Sequence, residues 1–195
     1  MLEPIRTVQA HERANAVATI VLAFSSDPAT RWAYPEPGAY LEHMPKLVEA
    51  LAGKAFAEGT AFVVEGFRGG ALWLPQGIES DREVVEKLLL ESTHSKIHGD
   101  VRSILDQMEG FHIPEPHWYL PLIGVEPHHH GKGLGSALMA HALAICDPDG
   151  MPAYLESSNP RNISLYLRHG FEVIGEIQSG SSPIWTPMVR PAREA

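Results

Sequence analysis

At 195 residues, 44% hydrophobic and 20% charged, the chain is long enough to bury one sizeable core and too apolar to stay disordered. Its net charge of −9 disfavours a general nucleic-acid binder, which needs a basic footprint, and is compatible with a cationic small-molecule partner. A single cysteine, Cys146, excludes an internal disulfide and suits a reducing cytoplasm, and neither a secretory signal nor an 18-residue apolar span is recognisable.

Taken in chain order, Ile5 to Val8 read as an opening strand. Val17, Ile20, Val21 and Phe24 follow the spacing i, i+3, i+4, i+7 of a helix face. Ser26 to Gly38, with three prolines, reads as a loop. A second helix is predicted to start at Pro45 and close near Gly59. Ala61 to Glu65 and Ala71 to Leu74 form a strand pair around the glycine-rich turn 66–70. Ser80 and Glu83 have capping-box spacing ahead of Val84, Val85, Leu88 and Leu89. Val101, Ile104, Leu105 and Met108 make a further helical stripe, ended by Gly110.

Trp118 to Val125 is a strand whose internal Pro121 cannot donate to a ladder, so an edge, bulge or splay is expected there. A helix follows over Gly133 to Ile145, then a short strand over Pro152 to Glu156. Asn159-Pro160 has the chemistry of a helix N-cap with proline at the first position, and Gly170 ends that helix. Phe171 to Ile177 and Ile184 to Val189 supply two closing strands. The fold class is therefore α/β, of α+β type, in one domain spanning 1–195. No repeat, low-complexity tract or linker divides the chain.

The segment that carries chemistry is strand, glycine-rich loop, helix. After Leu122-Ile123-Gly124-Val125 comes His130-Gly131-Lys132-Gly133-Leu134-Gly135, and Ser136 opens the helix. Three alternate glycines free the backbone to aim several N–H groups inward at a helix N-terminus, where an anion such as a pyrophosphate is favoured. A Walker loop would need Ser or Thr after Lys132, where Gly133 stands. The dinucleotide fingerprint would need Gly-x-Gly-x-x-Gly, and the spacing here is Gly-x-Gly-x-Gly. A flexible loop without ligand is the bland alternative.

Val125-Glu126-Pro127, Gly131 to Ser136, Tyr154-Leu155-Glu156 and Asn159-Pro160-Arg161-Asn162 through Tyr166 to His169-Gly170-Phe171 together resemble the Gcn5-related N-acetyltransferase (GNAT) superfamily. Within it, they are similar to puromycin N-acetyltransferase-like enzymes. Upstream, Pro28 to Arg31, Gln107 to Gly110 and Glu115-Pro116 give thinner echoes of the latter. The resemblance implies a mixed, mostly antiparallel sheet splayed at an acyl-CoA site and flanked by helices, with a cofactor-binding core over about 117–190. It implies acetyl-CoA as cosubstrate, held by backbone groups of Ile123 and Val125 along the pantetheine arm and by the amides of Gly131, Gly133, Gly135 and Ser136 at the pyrophosphate. His130, Lys132, Asn159, Asn162 and Tyr166 complete the expected cofactor site. His130 stands where the family usually has Gln or Arg.

The resemblance also makes Tyr166 the general acid that protonates the departing thiolate, a step sensible for a phenol with pKa near 10. Asn162 and Tyr166, four residues apart, share a helix face. For the base that deprotonates the amine, Glu156, His117 and Glu115 are the candidates, with Glu156 placed in the catalytic pair. No metal is expected: His128, His129 and His130 are adjacent and cannot converge on one ion, and nothing completes a site around His94 and His98. The expected activity is acetyl transfer to a primary amine of a small molecule, with antibiotic or aminoacyl-nucleoside amines among the acceptors. A non-catalytic acyl-CoA sensor on the same fold is the alternative. Cytoplasmic location and no membrane or nucleic-acid partner are expected, and a homodimer is left open.

Overall fold

The computed structural model describes residues 4–193. Along the chain run β1 (Ile5–Thr7), α1 (Arg13–Ala23), α2 (Pro28–Ala33), α3 (Pro37–Ala52), α4 (Ala55–Glu58), β2 (Ala61–Val64), β3 (Gly69–Leu74), α5 (Arg82–Ser92) and α6 (His98–Phe111). Then follow β4 (Trp118–Val125), α7 (Leu134–Cys146), β5 (Ala153–Ser157), α8 (Ile163–Arg168), β6 (Glu172–Val173) and β7 (Thr186–Arg190). The strands form one sheet in the order β1-β2-β3-β4-β5-β7-β6, antiparallel except between β4 and β5.

Helices cover both faces, so the central strands are apolar on both sides and nearly continuously buried. Their side chains divide with the strand period of two. Val63, Leu72 and Leu74 pack with Ile20, Met44 and Val48 of α1 and α3 on one face. Phe62, Val64, Ala71 and Trp73 pack with Leu138, Met139 and Ala142 of α7 on the other. Each such aliphatic side chain contributes about 1.5–3 kcal/mol by leaving water, which fixes the strand register.

Pro121 breaks this alternation, and the break shapes the site. Trp118 and Leu120 point to the α7 face, Leu122 to the opposite one, and Ile123 again to α7. One residue is thus inserted between Leu120 and Leu122. The pairing with β3 shifts accordingly, from Leu72↔Leu122 to Leu74↔Tyr119. On its other edge β4 pairs with β5 only at Trp118↔Ala153 and Tyr119↔Tyr154, so beyond Tyr119 the two strands part. The expected bulge and the splay both occur here.

Several local expectations are corrected. The segment 26–38 is not a plain loop: Asp27 caps α2 by accepting from Ala29 N (3.0 Å) and Thr30 N (3.2 Å), and α3 already begins at Pro37. Pro45 therefore lies inside α3. The carbonyl its missing N–H leaves unpaired belongs to Leu41, whose 66% exposure lets water solvate it. Asp81, not Ser80, caps α5, accepting from Val84 N at 3.1 Å, while Ser80 Oγ donates to Leu51 O. Helix α6 passes through Gly110 to Phe111. Of the segment 171–177 only Glu172–Val173 pairs as a strand, supplemented by an isolated bridge between Ile177 and Trp185.

Candidate active site

The gap between β4 and β5 is where backbone groups are left over. Glu126 N donates to Arg68 O (2.9 Å), so Glu126, and two residues earlier Gly124, direct their N–H and C=O toward β3. Ile123 and Val125 consequently direct theirs away from β3, into the open side of the splay. Gly124 is required by the helix above it: a Cβ there would lie 2.5 Å from Ala23 Cβ at the end of α1. Residues 23–27 thereby close down on β4 and form one wall of the cleft.

The glycine-rich loop forms the far end of that cleft. Gly131 (φ 73°) and Gly133 (φ 79°) occupy the left-handed region, and Gly133 is the N-cap of α7. Ile123, Val125, His130, Gly131, Gly133, Gly135, Ser136, Asn159, Asn162 and Tyr166 all line this one cleft, so the structure gathers ten of the expected cofactor residues. Lys132 is the exception. Its Nζ meets His129 Nδ1 (3.1 Å), and Lys132 is not itself part of the lining. The cleft's cations are instead Arg161 and Arg168, which sequence reasoning did not single out as ligands. His130 folds back so that its Nε2 meets Val125 O at 2.8 Å, and Ser136 Oγ is engaged by His169 Nε2 at 2.8 Å. What the loop and helix start offer an anion is therefore chiefly backbone N–H. Because φ near +79° strains any residue with a Cβ, Gly133→Val is expected to abolish coenzyme A binding, measured by calorimetry, with circular dichroism unchanged.

Tyr166 sits where two cavities meet. Its ring is 5% exposed, packed edge-to-face on Phe171 (centroids 6.1 Å apart). The end of α8 is pinned by Arg190, which donates to His169 O (2.9 Å) and forms a two-pronged ion pair with Asp147. Burial, and then the negative charge of Asp27, push the Tyr166 phenol well above its usual range, so it remains protonated. Asp27 is 6% exposed and fully engaged, by its two cap bonds and by Ser158 Oγ (2.7 Å). It thus ties the start of α2 to the end of β5.

Beyond Tyr166 opens an apolar chamber of about 130 Å³ between the sheet and helices α2, α3, α5 and α6, with Phe24, Trp32, Met108 and Trp185 in its wall. Glu156 is part of its lining. The outward alternation of β5 buries Ala153 and Leu155 on the α7 side and so sends Tyr154 and Glu156 to the chamber side. Tyr119 Oη donates to Glu156 Oε2 at 2.8 Å. The Tyr154 hydroxyl is buried beside the same carboxyl without a hydrogen bond of sound geometry. Enclosure in protein pushes the Glu156 carboxyl up to about 7, and the tyrosine hydroxyls offset only part of that. A carboxyl poised there can accept a proton near neutrality.

The other base candidates lie farther out. His117 Nδ1 bonds Glu115 O (2.7 Å), its Nε2 meets His112 Nε2 (3.0 Å), and Glu115 is exposed. Among the described residues no three His, Cys, Asp or Glu side chains converge as a metal site, and His128 and His129 both approach Glu126 (3.6 and 3.4 Å). Cys146 is buried, and that burial, with Asp147 and Asp149 nearby, pushes its thiol up to about 12, which leaves it inert. No helix among the described residues is long and apolar enough to cross a membrane.

Residues 78–171 match the family model described as Acetyltransferase (GNAT) family. An uncharacterized N-acetyltransferase of Schizosaccharomyces pombe is 28% identical over 181 residues, covering 85% of this chain and 73% of that protein. A structure described as histone acetyltransferase HPA2 and related acetyltransferase, from Corynebacterium glutamicum, superposes with a TM-score of 0.70 at 24% identity, covering 100% of this chain and 99% of the other. A mosquito arylalkylamine N-acetyltransferase-like protein superposes with a TM-score of 0.67 at 13% identity, over 96% and 98% of the two chains. Sheet order, splay, loop and matches agree: the chain carries the acetyltransferase fold of the GNAT family.

Proposed function

We propose that the protein transfers the acetyl group of acetyl-CoA directly to a primary amine of a small molecule. The observation that carries this reading is the position of Tyr166 at the junction of the cofactor cleft and the apolar chamber, with Glu156 in the lining of the same chamber. A sensor of acyl-CoA needs the cleft alone. It has no use for a protonated phenol where cleft and chamber meet or for a carboxyl held near neutrality in the chamber's lining.

In this reading the pantetheine arm runs along the free edge of β4. The N–H of Val125 stabilises the oxyanion that forms when the amine attacks the thioester carbonyl. The pyrophosphate rests on the N–H groups of the loop and the start of α7, with Arg161 and Arg168 supplying positive charge that His130 and Lys132 do not. Glu156 takes a proton from the arriving ammonium, and Tyr166 gives one to the leaving thiolate. The chamber's aromatic wall favours an amine carried on an apolar or aromatic skeleton. Antibiotic and aminoacyl-nucleoside amines belong to that class, and the mosquito protein sharing this fold is named for arylalkylamines. A chamber of about 130 Å³ takes only the amine-bearing end of so large an acceptor.

The test is single-turnover mixing of acetyl-CoA with pooled small amines, followed by mass detection across pH. Acetylated amine is expected, at a rate rising through pH about 7 as Glu156 loses its proton. Because Tyr166 is held above the usual phenol range, the rate should not fall again near pH 10. Tight acetyl-CoA binding without product from any amine class would leave the sensor, and product from hydroxyl compounds alone would make this an O-acyltransferase.

A further inference from the structure

Acetyl transfer from a thioester to an ammonium releases one proton for every turnover. The nitrogen loses two protons, of which one replaces the proton that Tyr166 gives to the thiolate. The other reaches Glu156 and must leave before the next cycle. Neither route through the two known walls suits it: the chamber is apolar, and the cleft is filled by the cofactor while it is bound.

A third cavity adjoins the chamber, sharing Tyr119 and Glu156 with it, and extends past His112 and His117. Its wall includes Glu156, Tyr119, His112 and His117, and its volume of about 570 Å³ has room for a chain of water. The two imidazoles within it are fixed in a definite arrangement. Glu115 O can only accept, so His117 Nδ1 carries a hydrogen and donates to it (2.7 Å). In the neutral ring His117 Nε2 is then an acceptor, and the donor facing it at 3.0 Å is His112 Nε2–H. His112 is left with a lone pair on Nδ1. Its ring stands edge-to-face with both Tyr119 (centroids 5.2 Å) and Tyr154 (4.9 Å), the two phenols that flank Glu156.

We propose that His112 and His117 form the proton exit of the transfer site, carrying the amine's released proton from Glu156 to solvent. Water in the cavity passes the proton from the Glu156 carboxyl to His112 Nδ1. The hydrogen on His112 Nε2 then moves to His117 Nε2, and His117, half-exposed at the outer end, gives a proton to solvent. Glu156 returns to carboxylate and both rings to neutral, each now in its other tautomer, and exchange of ring hydrogens with cavity water resets them for the next turnover.

The charges around the pair suit transient protonation rather than a resident imidazolium. Burial and the neighbouring His117 lower His112's affinity for a proton, and Glu79 only partly restores it. Of the other groups on this cavity, Glu109 is neutralised by Arg82, which also pairs with Asp106, and Glu115 faces outward. A ring that held its proton permanently would block the path.

This inference rests on the transferase reading, and the experiment separates the two. The wild type, His117→Ala and His112→Phe are compared in steady-state acetylation of an amine accepted by the wild type, at pH 7 in dilute buffer. His112→Phe keeps the edge-to-face packing and so controls for folding. Both variants should lose about tenfold in kcat with the KM for acetyl-CoA unchanged. Added imidazole should restore kcat of His117→Ala in proportion to its concentration, because a diffusible base then replaces the missing relay. A merely structural role would not respond to buffer. Wild-type kcat in both variants, or a loss that imidazole does not repair, overturns the proton exit while leaving the transferase standing. A wild type that acetylates no amine overturns both.

Discussion

Tyr166→Phe is expected to lower kcat by about 10²–10⁴-fold while acetyl-CoA affinity changes little. Only one oxygen is removed. The ring's packing against Phe171 and the end of α8, held by Arg190 and Asp147, is retained. The loss should therefore appear in turnover and not in folding. The magnitude follows from the leaving group. A thiolate expelled into a site without a donor departs with its full charge, and in the proposed mechanism Tyr166, kept protonated by burial and by Asp27, removes that charge at the moment it develops. Stopped-flow thiol release, with calorimetric titration of acetyl-CoA beside it, separates the two quantities. A fully active Phe variant would reduce Tyr166 to a packing residue.

How much of this site can be read from the chain depends on how far apart its parts lie in sequence. The loop and the start of α7 come from consecutive residues, 130–136, and their glycine spacing carries the geometry directly, as the left-handed Gly131 and Gly133 bear out. Pro121 likewise announces the bulge, and the bulge sets the splay. The chamber is another matter. Asp27 meets Ser158 across 131 positions, and Tyr119 meets Glu156 across 37. No periodicity reports such pairs. A local signal at Asp27 did exist, since Asp-Pro has the same cap chemistry as Asn159-Pro160. Three prolines in one short segment obscured it and suggested a loop instead. The cleft's cations show the same limit: Lys132 lies within the motif yet bonds His129 and is not part of the lining, while Arg161 and Arg168, just before and at the end of α8, line the cleft.

Glu156→Gln is expected to reduce kcat about 10²–10³-fold at pH 8, and at the same pH to raise the melting temperature. The two effects have one cause. Burial lifts the folded-state carboxyl from the ordinary carboxylate value of 4.5 to about 7, so the fold opposes the ionised form that the proposed base would need. The sign of the linkage follows. Below about pH 4.5 the group is protonated in folded and unfolded chains alike and costs nothing. Between 4.5 and 7 the unfolded chain ionises first, and folded stability declines. Above 7 the full cost is present. A glutamine of the same shape still accepts from Tyr119 Oη but carries no charge, which removes the cost. The gain should be about 5–15 °C at pH 8 and vanish near pH 4, as read by calorimetric melting of wild type and variant across pH. Activity should behave inversely. The deficit of the variant is greatest at pH 8 and narrows as the pH falls through 7, where the wild type itself loses its base. A variant that turns over like the wild type at pH 8 would move the base elsewhere. A variant that is inactive and no more stable at pH 8 than at pH 4 would mean that Glu156 is not held against its charge, and the assignment of its role would fail on that ground.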